Sequence, residues 1–332
     1  MIKKIYKGIY TAKSHVMHGD GFKKTKDEAT GEVYENTVKF RTMPLVVTYD
    51  DKSCQIVDIP AISSNAVRNR LHYFCLLDLL ERLEIKEKSL SKDNLYFLSK
   101  GYIALPNKND GEDSDNGKTK KPAKKVSVDS LRHILYLETL IPFIPLFGYM
   151  ESGTISKTSK LEVGPLYAVC DESAAKTGME VSGLPAKELL KTVLYTRFDD
   201  YKRIVGDMLL ERINDPEAVK QLLEQLREST VKSLKGKDKK AQAIYYVEIV
   251  PAETKFVHEI VLRNTTELEE AALSAGIKRF AQDPYIGGGM AHSAGRMEFV
   301  YEPELPSPDP YYEYVENNKD EIREAVLTEI VD

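Results

Sequence analysis

Residues 244–301 close the chain on a pattern that few folds accommodate. IYYVEIV at 244–250 alternates as a strand, Pro251-Ala252 makes a turn, and KFVHEIVL at 255–262 reads as a second strand. Thr265 or Thr266 then caps a helix to about Gln282, with Glu267 and Glu269 near its start. A glycine loop, Tyr285-Ile286-Gly287-Gly288-Gly289, leads into a last strand, RMEFVY at 296–301. Two strands, a helix, a loop and a strand form half of a small mixed sheet.

The rest of the chain supplies the other half, spread over long insertions. IKKIYKGIYTA at 2–12 is the first strand. Residues 14–37 are polar and glycine-bearing, a long loop or a hairpin. Residues 38–49 read as a strand pair interrupted by Pro44. Ser63-Ser64 then caps a helix whose Val67, Leu71, Phe74, Cys75, Leu77 and Leu80 form an apolar stripe, running to about Ile85. Residues 106–125 are almost wholly polar and end with five lysines in eight positions, a mobile loop. Ser130 to Tyr149 starts as a helix and stops at Pro142 and Pro145. LEVGPLYAVC at 161–170 reads as a strand, and 205–234 as one helix or two broken at Asn214-Asp215-Pro216. Stripped of insertions this is the βαββαβ ferredoxin-like plan, an α+β fold.

Charge and cysteine usage narrow the function classes. The net charge is −5, yet Glu302 to Asp332 holds ten acids and two bases, which leaves +3 on residues 1–301. The acidic balance therefore belongs to the tail and does not argue against a nucleic-acid partner. Cys54, Cys75 and Cys170 are far apart and form no CxxC, so neither a disulfide framework nor a cysteine zinc site is encoded, and a reducing cytoplasm fits. The start of the chain lacks the apolar core of a signal peptide, and the apolar stretch Leu131 to Met150 is broken by charges and prolines, so no membrane partner is expected.

Four features can carry chemistry. At 59–70, IPAISSNAVRNR, a helix start exposes unpaired N–H groups and the positive end of the dipole. Ser63, Ser64 and Asn65 add short polar groups, and Arg68 and Arg70 fixed charge, which together suit a phosphate. Ordinary caps with solvated arginines are the plainer reading. Gly287, Gly288 and Gly289, followed by Met290, His292 and Arg296, let a backbone lie flat against a ligand, though the loop has neither GK[ST] nor GxGxxG spacing and also reads as a flexible turn. His15-x-x-His18-x-Asp20 lacks the further ligands of a metal site. Lysine runs at 118–125 (Lys118, Lys120, Lys121, Lys124, Lys125) and 232–240 can follow a nucleic-acid backbone or be simply solvated. No nucleophile set emerges, and His72, His133 and His258 fall inside helix or strand patterns. Neither a cofactor nor a metal is expected.

IPAISSNAVRNRL and PYIGGGMAHSAGRMEF, in that order, resemble the RAMP superfamily, and more closely the Cas-seven backbone subunits of class 1 CRISPR effector complexes. LEVGPLYAVCDES, LLKTVLYTRFDDYKR and AIYYVEIVPAETKFVHEIVLRNTTELEEAAL fall in the order of the type IV backbone proteins. Ala294-Gly295-Arg296 stands where Gly-His-Gly-Arg is common, and His292 is displaced.

The resemblance implies a right-hand shape. Its palm is an RRM-like core of 1–90, 161–170 and 244–302, with fingers at 91–160, a thumb and helical insertion at 171–243, and an acidic tail at 303–332. It implies a non-enzymatic subunit that binds guide RNA through its backbone, stacks with copies of itself into a helical filament, joins other effector subunits, and presents bases to target DNA or RNA. Lys13 and His15 become neighbours of the RNA, and Leu194, Tyr195 and Phe198 candidates for the thumb wedge. A type III relative would instead cleave target RNA with an aspartate in the loop after the first strand, where Asp20 and Asp27 lie.

Overall fold

The computed structural model describes residues 2–26, 33–49, 52–85, 89–101, 128–151, 155–198, 242–290 and 293–328. The chain divides into two compact units: Met1–Val16, Arg41–Leu189 and Val250–Asp332 form the first, Met17–Phe40 and Leu190–Ile249 the second. It is an α+β protein whose sheets are mostly antiparallel.

In chain order the elements begin with β1 (Lys3–Ala12), β2 (Gly19–Lys26), β3 (Val33–Phe40), β4 (Thr42–Thr48) and β5 (Cys54–Ile62). Helices α1 (Ser64–Arg82), α2 (Lys92–Lys100), α3 (Val128–Leu140) and α4 (Ile144–Phe147) follow. Next come β6 (Tyr149–Glu151), β7 (Ile155–Lys157), β8 (Leu161–Val163) and β9 (Leu166–Ala168), then α5 (Ala174–Thr177), α6 (Ala186–Leu189) and β10 (Lys191–Phe198). The chain ends with β11 (Gln242–Ile249), β12 (Lys255–Arg263), α7 (Glu267–Phe280), β13 (Met297–Glu302), α8 (Asp309–Asn317) and α9 (Lys319–Leu327).

The first unit is built on a sheet ordered β13-β1-β12-β9-β5-β4, with β8 also on β12 and every pairing antiparallel. The segment expected as one strand at 161–170 is split at Gly164-Pro165, because proline cannot donate to the ladder. The interrupted strand pair at 38–49 also resolves differently: β4 runs straight through Pro44. Arg41 and Ala61, and likewise Tyr49 and Ser53, bond across the β4–β5 hairpin, so its odd residues face β5 and Pro44 turns its missing N–H outward. Proline on the outer edge of the last strand costs no hydrogen bond and blocks edge-to-edge pairing.

One face of this sheet carries α1 and α7. Leu71, Leu79, Phe74 and Phe280 are buried between them, each stabilising by about 1.5–3 kcal/mol. The two helices approach closely at Gly276, where a Cβ would lie 3.0 Å from the Cys75 backbone nitrogen. They run in the same direction: Arg68 lies by the Leu161 carbonyl and Lys160 by Glu269, Cys75 lies beside Gly276, and Glu81 pairs with Arg279. In the ferredoxin-like plan they run oppositely. The order β13-β1-β12-β9 matches that plan, but β5 inserts ahead of α1 and reverses it.

The second unit is a sheet ordered β10-β11-β3-β2, parallel at β11–β3 and antiparallel elsewhere. The insertion at 14–37, grouped with the first strand in the sequence reading, thus joins the segment read as thumb. Among the described residues no helix is long and apolar enough to cross a membrane. The helix expected at 205–234 and both lysine runs lie outside the described residues.

Candidate nucleic-acid interface

The glycine loop is tied to the end of β1 by main-chain bonds. Lys13 N donates to the Arg296 carbonyl at 2.7 Å, Gly295 N to the His15 carbonyl at 2.8 Å, and Ile286 N to the Gly295 carbonyl at 2.9 Å. Arg296 N donates to Ser14 Oγ at 3.0 Å. Buried Ile286 and Ala294 anchor the loop from inside. Gly295, at φ +82°, packs against the Ile286 carbonyl and leaves no room for a side chain. Gly287 and Gly289 also take positive φ, 92° and 76°, so two of the three consecutive glycines are required by the turn itself.

What the loop offers is donors. Gly288 itself takes part in a β-bridge, so not every amide of the turn is open, and among the described residues the Arg296 guanidinium is exposed with no ion pair. Arg296, Lys13, Gln282, Pro284, Met297 and Phe299 line a cavity of about 560 Å³ beside it. Lys13 is already engaged by Glu298 at 3.1 Å and Glu253 at 3.6 Å. Met290 is exposed, and His292 lies outside the described residues.

The helix start is a second, separate place. Ser63 caps α1 by accepting from Ala66 N at 3.3 Å, as its sequence position predicts. Ser64 is half-buried and Asn65 exposed. Arg70 is half-buried with no partner among the described residues. Arg68 does not join them. Its guanidinium turns inward, donating to the Phe147 carbonyl, to Ser159 Oγ at 3.1 Å and to the Leu161 carbonyl at 3.4 Å, over the Phe147 ring. Burial lowers its pKa from the ordinary guanidinium value. The expectation that Arg68 meets phosphate is corrected: two residues from Arg70, it points to another side of the helix.

The register also separates the two donor groups. Ile62 pairs with Leu166, and Ala61 aligns through Tyr167 and Val257 with Ile9, so Ser63 emerges past the level of Gly8. The glycine loop enters β13 at the level of Ala12 and Lys13. At about 3.3 Å per residue and about 4.8 Å per strand, roughly 25 Å lies between them. They lie about four strands apart across the sheet, and a single cradle formed by 63–70 and 287–296 is not present.

Aromatic side chains on β1 and β13 are turned away from solvent. Tyr10 stacks on Phe299 at 4.7 Å, and Phe299 on Phe280 of α7 at 5.1 Å. Tyr301 Oη lies 2.7 Å from Tyr10 Oη and 3.0 Å from His258 Nε2. Burial pushes His258 down to about 4 and, with the nearby Arg68 charge, His72 to about 3, so both are neutral structural groups. The opposite face shows Ile5, Lys7, Ile9, Glu298 and Val300 instead of rings.

In the second unit Leu194 is 51% exposed on β10, opposite Tyr246. The side chains of Tyr195 and Phe198, on the same strand, lie outside the described residues, as do Lys118, Lys120, Lys121, Lys124 and Lys125. Asp20 belongs to strand β2 and not to a loop, and Asp27 is not described.

No family model matches the chain, and no curated protein matches it. Among solved structures, a chain of a "Type IV-B CRISPR Complex" shares its fold with a TM-score of 0.50 at 17% identity, over 92% of this chain and 96% of that one.

Proposed function

We propose that the chain is a guide-RNA-holding backbone subunit of a class 1 CRISPR interference complex, akin to the Cas-seven proteins of type IV systems, and not itself an enzyme. The observation that carries this reading is a fold likeness spanning nearly the whole of both chains, 92% and 96%. The strand order β13-β1-β12-β9 supports a ferredoxin-like palm, and the second unit, with exposed Leu194, supports a thumb.

The largely exposed backbone of the Gly287–Gly289 turn and Arg296 hold the sugar–phosphate strand at one edge of the palm. The start of α1, with Ser64, Asn65 and Arg70, holds it several strands away across the sheet. Such contacts fix position without reading sequence. With the two grips roughly 25 Å apart, the RNA crosses the palm over several nucleotides and its bases stay free to pair with target. Copies stack head to tail through a heterologous interface into an open filament, alongside other effector subunits.

The test is co-expression with a CRISPR array. The wild-type chain is expected to purify with protected RNA of uniform length. Arg70→Glu combined with Arg296→Glu should lower bound RNA at least tenfold with the melting temperature unchanged, and each lost phosphate contact should flatten the salt dependence by about 0.7. Normal RNA content in the double variant refutes these contacts.

A further inference from the structure

Lys7 behaves unlike a surface lysine in a sheet. In register it lies between Glu259 on β12 and Glu302 on β13, where cross-strand pairing favours ion pairs. It makes none among the described residues. Its ammonium instead makes two long contacts, to the Gly178 carbonyl at 3.5 Å and to Met179 Sδ at 4.0 Å, neither of which neutralises its charge.

That reach brings it to a cavity of about 240 Å³ where the break at Gly164-Pro165 parts β8 from β9. Lys7, Lys176, Glu259, Tyr167 and Pro165 line it. Lys176 and Glu259 are exposed and without ion pairs among the described residues. The volume lies below the roughly 300–1,000 Å³ of drug-sized ligand sites and suits one small unit. Two ammonium groups favour a phosphate, and a carboxylate accepts from a hydroxyl. A bare anion would meet repulsion from Glu259, and a cation from the lysines. A ribose phosphate satisfies all three, and Tyr167 adds a ring beside it.

We propose that this cavity is a ribonucleotide subsite: Lys7 and Lys176 meet a phosphate, and Glu259 accepts from a ribose 2′-hydroxyl. The hydroxyl is what separates RNA from DNA at such a contact. The inference rests on the RNA-holding reading above but uses residues outside both of its grips.

Fluorescence anisotropy of the full-length chain with a single-stranded RNA and its DNA counterpart tests it. Lys7→Ala with Lys176→Ala should weaken both ligands about tenfold and reduce the salt slope by about 1. Glu259→Gln should weaken RNA alone, three- to tenfold. Lys176→Ala, at an exposed position, provides a variant whose folding is not at issue. Wild-type RNA affinity in all three variants overturns the subsite. Equal loss for RNA and DNA in Glu259→Gln overturns the hydroxyl contact. A wild-type chain that binds no RNA removes the RNA-holding reading itself, a separate outcome.

Discussion

Arg68 and Arg70 show how far two like residues can diverge over two positions. Arg68 has spent its donors on two carbonyls and a hydroxyl inside the fold, while Arg70 has no described partner. Hydrogen bonds to a charged group are each worth about 1.5–3 kcal/mol when their loss leaves buried acceptors unsatisfied. Arg68→Ala should therefore destabilise the chain by about 3 kcal/mol in urea unfolding, and Arg70→Ala by no more than about 0.5 kcal/mol. Similar midpoints for the two would sink this assignment. The divergence was legible in part. Val67, Leu71, Phe74 and Cys75 fix the buried stripe, and Arg68, next to Val67 and three before Leu71, belongs at its margin. What it would touch there was not, since Phe147, Ser159 and Leu161 are far along the chain.

Elements with local chemistry were the most readable. The Thr266 cap, with the reciprocal Glu269 bond, stands where the sequence places it, because a capping box is complete within four residues. The strand β5 was obscured. Its pairing with β4 and β9 is set by distant partners, and Pro60 reads locally as a breaker. Pro44 misled in the same way: whether proline interrupts a strand depends on which edge its nitrogen faces, and that is a property of the sheet. Its outward position yields a prediction. Pro44→Val should leave thermal stability within about 0.5 kcal/mol but restore an outward N–H. Concentration-dependent association, followed by light scattering, should then rise. A variant that unfolds, or that stays as dispersed as the parent, would contradict the edge role.

For the molecule as a whole, the end of the chain is more deeply built into the fold than an acidic tail would be. Residues 303–332, expected as an acidic tail that either carries a surface helix at 318–331 or screens against non-specific RNA, contain α8 and α9, whose Tyr311, Val315, Ile322, Ala325 and Val326 are buried. They fasten elements that are far apart in sequence. Arg82 of α1 lies 3.4 Å from the Tyr312 ring centroid, Tyr314 Oη donates to the Leu140 carbonyl at 3.0 Å, and the Asn94 amide donates to the Val326 carbonyl at 2.8 Å. The acids took attention because charge is counted residue by residue, whereas the apolar stripe beneath them shows only once the helical period is imposed. If these helices brace the first unit, Tyr311→Ala should cost about 3–5 kcal/mol, as for other large buried rings. Glu313→Gln with Glu316→Gln, on the exposed side, should change stability by less than about 0.5 kcal/mol. A chain ending at Glu302 should melt far below the full-length protein and expose α1 and α7 to protease. Were it to melt at the same temperature, the last thirty residues would be an appendage after all, and the acidic charge would be their main contribution.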